Sequence, residues 1–233
     1  MHLELTNEIV VFLHPPHLYS RRELRAAPSL VPNADGAYGW WFRCLPAPID
    51  TSRCANDQGF TLLYTGISPK EPPKNGRPPS KGNLHKRLHQ HYFQTAAAST
   101  LRRTLGCLLA DELGLQLRRV GSGHRRQRTN FASGEHALSE WMEENAFVSW
   151  VIRKKPWELE HALIHQLDLP LNLQGNSRNR FHPELTEARA RCLAQARALP
   201  VLPYKTGRLQ LELQSIRIQE NLQTSIKDAG LHR

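Results

Sequence analysis

The sequence has few cysteines and no apolar run that approaches the length of about 20 residues needed to cross a membrane. Its first eight residues include acids and lack the basic stretch that precedes the apolar part of a signal peptide. The 4 cysteines contain no pair separated by two residues. We therefore expect a cytoplasmic protein with free thiols and no membrane partner. Cys44 and Cys107 have apolar neighbours, which predicts core positions.

Acidic residues are also scarce relative to basic ones. The 233 residues include 31 Lys and Arg against 21 Asp and Glu, a formal net charge of +10 at pH 7. A polyanion is the natural partner for such a chain, and nucleic acid is the commonest polyanion. Charge alone does not separate a nuclease from a passive binder or from a basic protein without either role.

Three segments have the composition of strands and several others have that of helices. Aromatic and β-branched residues predict strands near 37–43, 61–67 and 147–152. Candidate caps at Asn83 and Ser99, together with apolar spacing, predict helices at 83–93 and from 99 onward, and the same signals predict helices at 135–145, 157–167 and 184–199. We expect an α+β fold with a small three-stranded antiparallel sheet covered by helices, spanning residues 36–180. An N-terminal arm (1–35) and a C-terminal helical extension (181–233) flank it.

Short motifs occur in a fixed order along this predicted domain. The first strand carries Gly36-Ala37-Tyr38, and the second carries Tyr64-Thr65-Gly66. Four further polar residues follow, on or just after later helices: Arg87, His91, Glu160 and Asn172. The ordered set resembles the GIY-YIG nuclease superfamily, whose two namesake motifs differ from these only in the middle residue. The chain between Arg87 and Glu160 is longer than in the smallest members, which implies inserted helices.

The resemblance implies an endonuclease that cuts DNA with Mg²⁺ or Mn²⁺. It implies an active site of six residues, with Glu160 as the metal ligand: Tyr38, Tyr64, Arg87, His91, Glu160 and Asn172. The role of Asn172 as a brace comes from the resemblance alone.

The residue types suit phosphodiester hydrolysis. One carboxylate can hold a Mg²⁺ ion that keeps most of its waters, and an arginine fork suits the scissile phosphate. Tyr38, Tyr64 or His91 could activate the water, and His91 shares a helix face with Arg87. We favour Tyr38 as the base with His91 as its orienting partner, although the residues leave the choice open.

Each of these residues also has an ordinary interpretation. The tyrosines could be core strand aromatics, and Arg87 and Glu160 could be solvated surface charges. A lone His91 would more often be a surface or capping residue. Neither a cysteine nor an acid completes a zinc site with the His85 and His89 pair, which lie four residues apart. The joint order of the six favours the active site.

Basic residues around the glycines at 121 and 123 form a second candidate site. We expect DNA phosphate contacts from five arginines, although a solvated surface is the alternative: Arg118, Arg119, Arg125, Arg126 and Arg128.

Two other functions remain as alternatives. An inert nucleic-acid-binding module would not need a metal carboxylate, and the sequence lacks a recognisable RNA-binding motif for an RNA nuclease. Cutting both DNA strands calls for a homodimer or for sequential nicking.

Overall fold

The computed structural model describes residues 2–75, 78, 80–121 and 128–203. Its helices are α1 (His2–Leu13), α2 (Arg21–Ala26), α3 (Leu84–Phe93), α4 (Thr100–Leu108), α5 (Glu135–Asn145), α6 (Pro156–Gln166) and α7 (His182–Ala198). Its strands are β1 (Gly36–Phe42), β2 (Asn56–Asp57), β3 (Phe60–Ser68), β4 (Arg118–Val120), β5 (Arg128–Asn130) and β6 (Ala146–Ile152). Within this described part of the chain, no helix has the length and apolarity required to cross a bilayer.

The main sheet is antiparallel and has the order β2-β3-β1-β6. Tyr38 on the central strand β1 pairs with Gly66 on β3 and with Trp150 on β6. The α+β fold and the three predicted strands are confirmed. The prediction missed β2, which adds two residues at the edge beside β3. Strands β4 and β5 form a separate hairpin.

Strand β1 is buried on both faces because helices cover the sheet on both sides. Tyr38, Trp40 and Phe42 point into a core cluster that includes residues of α3, α4 and α5. Ala37 and Trp41, which alternate with them, point into a second cluster that includes residues of α1 and α6. A strand buried on both faces lacks the apolar–polar alternation of a half-exposed one, so β1 appears in the sequence as a continuous aromatic run.

Side-chain caps start the two helices that follow β3. The side chain of Asn83 accepts a hydrogen bond from the amide of Lys86 at 2.8 Å, and Ser99 Oγ accepts one from the amide of Arg102 at 3.0 Å. Both caps were predicted from the sequence, and each satisfies an amide that the first helical turn leaves free. The first cap marks where α3 begins, and the buried residues Leu84, Leu88 and Tyr92 define the face of α3 that packs on the core.

The described parts of both terminal segments pack on the central domain, and residues 204–233 of the expected C-terminal extension lie outside the described residues. Helix α1 lies against α6 and β6, with Ile9 and Phe12 in the second core cluster. Helix α7 lies along α4, where Cys192 is buried beside the carbonyl of Cys107. All four cysteines are free thiols in this structure. The prediction of a core position for Cys44 was wrong: this residue is exposed because the chain leaves the sheet just after Phe42.

Candidate active site

A cavity of about 830 Å³ opens beside β3 and is bordered by α3, α4, α6 and α7. Five of the six expected active-site residues line it: Tyr38, Tyr64, Arg87, Glu160 and Asn172. The sixth, His91, does not line the cavity and lies behind Tyr38 and Tyr64, both of which its ring contacts. The fold thus brings together side chains from two strands, two helices and the loop after α6.

Tyr38 is at the centre of a hydrogen-bond network at the base of the cavity. Its hydroxyl oxygen accepts a hydrogen bond from Nε of Arg87 at 3.2 Å and lies 2.8 Å from Nε2 of His91. Burial raises the pKa of Tyr38 well above its usual value, and the neighbouring Tyr64 adds to that effect while Arg87 opposes it. The phenol is therefore the stable form unless further positive charge arrives.

His91 is fully buried and connects Tyr38 to the start of α4. Its Nδ1 lies 2.7 Å from Oγ of Ser99, which also caps α4. Burial, with the charges of Arg87 and Arg102, holds the pKa of His91 well below its usual range. The imidazole is therefore neutral near pH 7, so one ring nitrogen donates a hydrogen bond while the other accepts one.

Tyr64 and Arg87 complete the polar surface on this side. Burial raises the pKa of Tyr64, while the charge of Arg87 works in the opposite direction. The two tyrosines in turn raise the pKa of the Arg87 guanidinium, although burial alone would lower it. Arg87 also donates from Nη1 to Gln90 at 3.1 Å, which holds its planar group toward the cavity.

Glu160 faces the same cavity from α6. Among the described residues, none forms a hydrogen bond or an ion pair with its carboxylate. Burial raises its pKa to about 7, against the opposing charges of Lys70 and Arg87. The rival carboxylate Glu158 is exposed and pairs with Arg153 at 2.9 Å. Glu160 is thus the carboxylate on α6 that remains available to a ligand in the cavity.

The donor set around Glu160 fits a hard divalent cation. No group of three or more His, Cys, Asp or Glu residues able to hold a metal ion occurs in the described ranges, so a zinc-type cluster does not form there. A single unpartnered carboxylate beside an open cavity suits an ion such as Mg²⁺, which retains several waters when bound. A cation would also oppose the rise in the pKa of Glu160, because its charge stabilises the ionised carboxylate.

Asn172 braces β3 through its side-chain amide. Its Oδ1 accepts the backbone amide of Thr65 at 2.9 Å, and its Nδ2 donates to the carbonyl of the same residue at 2.8 Å. The pair of bonds ties the loop after α6, which follows Glu160, to the strand that carries Tyr64. Asn176 supports the loop in turn by donating to the carbonyl of Asn172 at 3.2 Å.

The glycine of the second motif, Tyr64-Thr65-Gly66, is required for steric reasons. A Cβ atom on Gly66 would lie 2.5 Å from the hydroxyl oxygen of Tyr38, closer than two such atoms can approach. The middle residue, Thr65, is buried and donates from Oγ1 to the carbonyl of Tyr38 at 3.2 Å. A hydroxyl at this position is therefore satisfied inside the sheet, and it ties β3 to β1.

The comparison with protein families agrees with this geometry. A sequence model of the GIY-YIG catalytic domain matches residues 36–191. The chain belongs to the GIY-YIG family. The comparisons of this chain with curated proteins and with solved structures gave no match. The GIY-YIG domain is a nuclease domain, so nuclease-type activity and a nucleic-acid substrate follow in general terms. The matched range begins at Gly36 and includes all six expected residues.

Of the five arginines expected at a DNA interface of this GIY-YIG protein, the three that the structure describes have two kinds of environment. Arg119 donates to the carbonyls of Ala196 and Leu199 at 3.1 and 2.7 Å, and Arg118 donates to the carbonyl of Pro200 at 3.2 Å. Both guanidinium groups thus hold the C-terminal end of α7. Arg128 is exposed on β5. The remaining two, Arg125 and Arg126, lie outside the described residues.

Several cavity residues of the GIY-YIG domain were not among those expected. They are Lys70, Trp157, His161 and Arg189. Trp157 is three residues before Glu160, so helical spacing could have placed it on the same face of α6, and His161 is four residues after Trp157. Lys70 belongs to a basic loop without regular structure, and no sequence signal points from Arg189 to the motifs.

Proposed function

We propose that this protein is an endonuclease that hydrolyses phosphodiester bonds in DNA with one Mg²⁺ or Mn²⁺ ion. The observation that carries the proposal is the shared cavity, in which the Tyr38–Arg87–His91 network and the unpartnered carboxylate of Glu160 meet. The formal net charge of +10 supports a polyanionic substrate. A module that only bound nucleic acid would not need this half-buried and electrostatically costly carboxylate.

Glu160 is the residue that would hold the metal ion, which supplies positive charge to the phosphate and lowers the pKa of its bound water when present. Arg87 keeps its charge in the cavity because a guanidinium stays protonated near neutral pH, and the direction of its pKa shift is upward. Its planar fork can bind two oxygens of the scissile phosphate, where negative charge grows in the transition state.

Tyr38 is the proposed acceptor for the proton of the attacking water. In the arrangement that fits the contacts, His91 donates from Nδ1 to Ser99 and accepts the Tyr38 hydroxyl proton at Nε2. Tyr38 can then take a proton from water while its own proton moves to Nε2 of His91, so no free phenolate has to form in a buried site. The transient imidazolium returns its proton through Tyr38 to the leaving oxygen, which restores the neutral His91. Because His91 does not line the cavity, it acts on the substrate through Tyr38.

The test is cleavage of supercoiled plasmid and of short DNA duplexes by the purified protein, with Mg²⁺, with Mn²⁺ or with EDTA. We expect cleavage that requires the metal and is lost in Glu160→Gln. The matched control is Glu158→Gln, the same change two residues away at an exposed carboxylate that pairs with Arg153.

Three outcomes of the assay count against the proposal in different ways. Full activity of Glu160→Gln at an unchanged metal requirement would place the ion on another carboxylate. Plasmid binding without nicking would identify an inert binding module, and cleavage of RNA but not DNA would identify an RNA nuclease. The ratio of nicked to linear product distinguishes sequential nicking from paired cutting by a homodimer.

A further inference from the structure

Arg189 reaches the catalytic cavity from α7, outside the set of motif residues. Its side chain lines the cavity together with Tyr64, Thr100 and Thr104. Its Nη1 donates a hydrogen bond to Oγ1 of Thr104 at 2.8 Å. The C-terminal helix therefore contributes a cation to the same space in which Arg87 and Glu160 face the proposed substrate.

Arg189 differs from Arg102 and Arg21, two other arginines with little exposed surface, in its partners. Arg102 pairs with Glu135, whose carboxylate lies 2.7 Å from its Nη2. Arg21 pairs with Glu143 at 2.7 Å. Within the described residues, no carboxylate forms an ion pair with Arg189, and the hydroxyl of Thr104 is a neutral partner.

A half-buried guanidinium without an anion is unfavourable in the free protein. Burial is the largest influence on the pKa of Arg189 and lowers it, because the charged form loses solvation without gaining a counter-charge. A hydrogen bond to Thr104 alone could be made by a neutral side chain. The retained charge is explained if an anion enters the cavity and completes the pairing.

We propose that Arg189, oriented by Thr104, forms a second phosphate subsite that binds a backbone phosphate of the nucleic acid next to the scissile one. The inference rests on the proposed nuclease function and extends it to the C-terminal helix. Arg87 is the arginine beside Tyr38 and Glu160, so the scissile phosphate belongs to Arg87. Among the motif residues, Tyr64 is the one whose charge influences the pKa of Arg189, so we place the phosphate of Arg189 on the Tyr64 side of the bond that is cut.

The test measures binding of a short DNA duplex at several salt concentrations, with Glu160→Gln as the background so that the duplex stays intact. The key variant is Arg189→Gln, whose amide can still donate to Thr104 while the charge is gone. We expect weaker binding and a salt slope that falls by about 0.9, the value for one lost phosphate contact. Arg189→Lys keeps the charge, so we expect it to retain the slope and recover part of the affinity.

The matched control is Arg191→Ala on the same helix, because Arg191 is exposed and points about 200° away from Arg189. Loss of its charge is expected to leave the slope unchanged. Thermal unfolding of each variant separates packing from binding, since a merely structural arginine would lower the melting temperature without changing the salt slope.

The outcomes for the subsite and for the nuclease function are distinguishable. If the wild type cuts DNA but Arg189→Gln keeps the full salt slope, the subsite is wrong and the nuclease proposal stands. Equal losses in Arg189→Gln and Arg191→Ala would also overturn the subsite, because they would indicate a general effect of net charge. If the wild type neither binds nor cuts DNA, both proposals fail.

Discussion

The hydroxyl oxygen of Tyr38 lies 2.8 Å from Nε2 of His91, although the two residues are 53 positions apart in the sequence. The contact joins a strand residue that lines the cavity to a helix residue that is fully buried. It puts one proton between two groups whose charged forms are both disfavoured by burial. The pair is therefore suited to passing a proton rather than to holding a charge.

The first prediction concerns the order of importance within this pair. Tyr38→Phe should lower the single-turnover cleavage rate by roughly 10²- to 10⁴-fold, the usual contribution of a general base. His91→Gln should cost nearly as much, because its amide can contact the Tyr38 hydroxyl but cannot accept the proton that Tyr38 gives up. Since the pKa of His91 is held well below its usual range, the wild-type rate should show no step near pH 6.5 that disappears in His91→Gln.

The pH–rate profile also supplies the contradicting result. One limb of this profile is the pH range in which the rate rises as the general base loses its proton. If Tyr38→Phe retained a near-normal rate while His91→Gln removed this limb, His91 would be the base. Tyr64→Phe completes the comparison, because Tyr64 lines the same cavity but lacks the contact with His91 Nε2.

The second prediction concerns the stability cost of Glu160. The folded state raises the pKa of this carboxyl to about 7, so it binds the proton more tightly than the unfolded chain, where a glutamate titrates near about 4.3. Stability from this group is thus complete below about pH 4.3 and is lost as the pH rises to about 7. Glu160→Gln removes that loss and should stabilise the metal-free protein at pH 8 by about 1–2 kcal/mol.

Thermal unfolding in EDTA at pH 8 and at pH 4.5 tests this prediction. We expect a higher melting temperature for Glu160→Gln at pH 8 and little difference at pH 4.5. Added Mg²⁺ should stabilise the wild type but not the variant, because an ion that binds only the folded state shifts the equilibrium toward it. A variant less stable than the wild type at pH 8 would mean that the Glu160 carboxylate is satisfied within the fold.

The third prediction separates catalysis from binding at Arg87. Arg87→Ala should reduce the cleavage rate by about 10²- to 10³-fold, the cost of removing one donor to charge that develops in the transition state. DNA affinity should change far less. The control is Lys86→Ala, which removes a neighbouring charge that is exposed on the same helix. A loss of affinity as large as the loss of rate would assign Arg87 to ground-state binding.

The fourth prediction divides the five arginines around the β4–β5 hairpin into two groups. Arg118→Ala and Arg119→Ala should each lower stability by about 1 kcal/mol through lost hydrogen bonds to carbonyls at the end of α7. Their effect on the salt dependence of DNA binding should be small. The triple change of Arg125, Arg126 and Arg128 to Ala should flatten the salt slope by about 0.9 per lost phosphate contact.

Binding measured as a function of salt, together with melting temperatures, checks both groups in one series. If the triple variant binds DNA with an unchanged slope, this segment does not contact the phosphates. A change of slope in Arg118→Ala or Arg119→Ala at unchanged stability would instead return those two residues to the DNA interface.

The sequence by itself determined the elements whose signals are local. Strand β1 follows from its aromatic run, and α3 and α4 follow from the caps Asn83 and Ser99, because a cap and the amide that it satisfies lie within one helical turn. The two tyrosine motifs and the order of the polar residues after them identified the family and the candidate site for the same reason. Each motif is a short stretch of chain with its own pattern.

Only the tertiary structure decided the contacts between residues far apart in the chain. The amide of Asn172 meets the backbone of Thr65 across 107 positions, and Arg119 reaches the end of α7 across 77 or more. Arg189 enters the cavity because α7 packs along α4. Such contacts depend on how whole helices pack on the sheet, and packing is set by the combined shape and burial of many side chains. No local pattern around a single residue specifies that result.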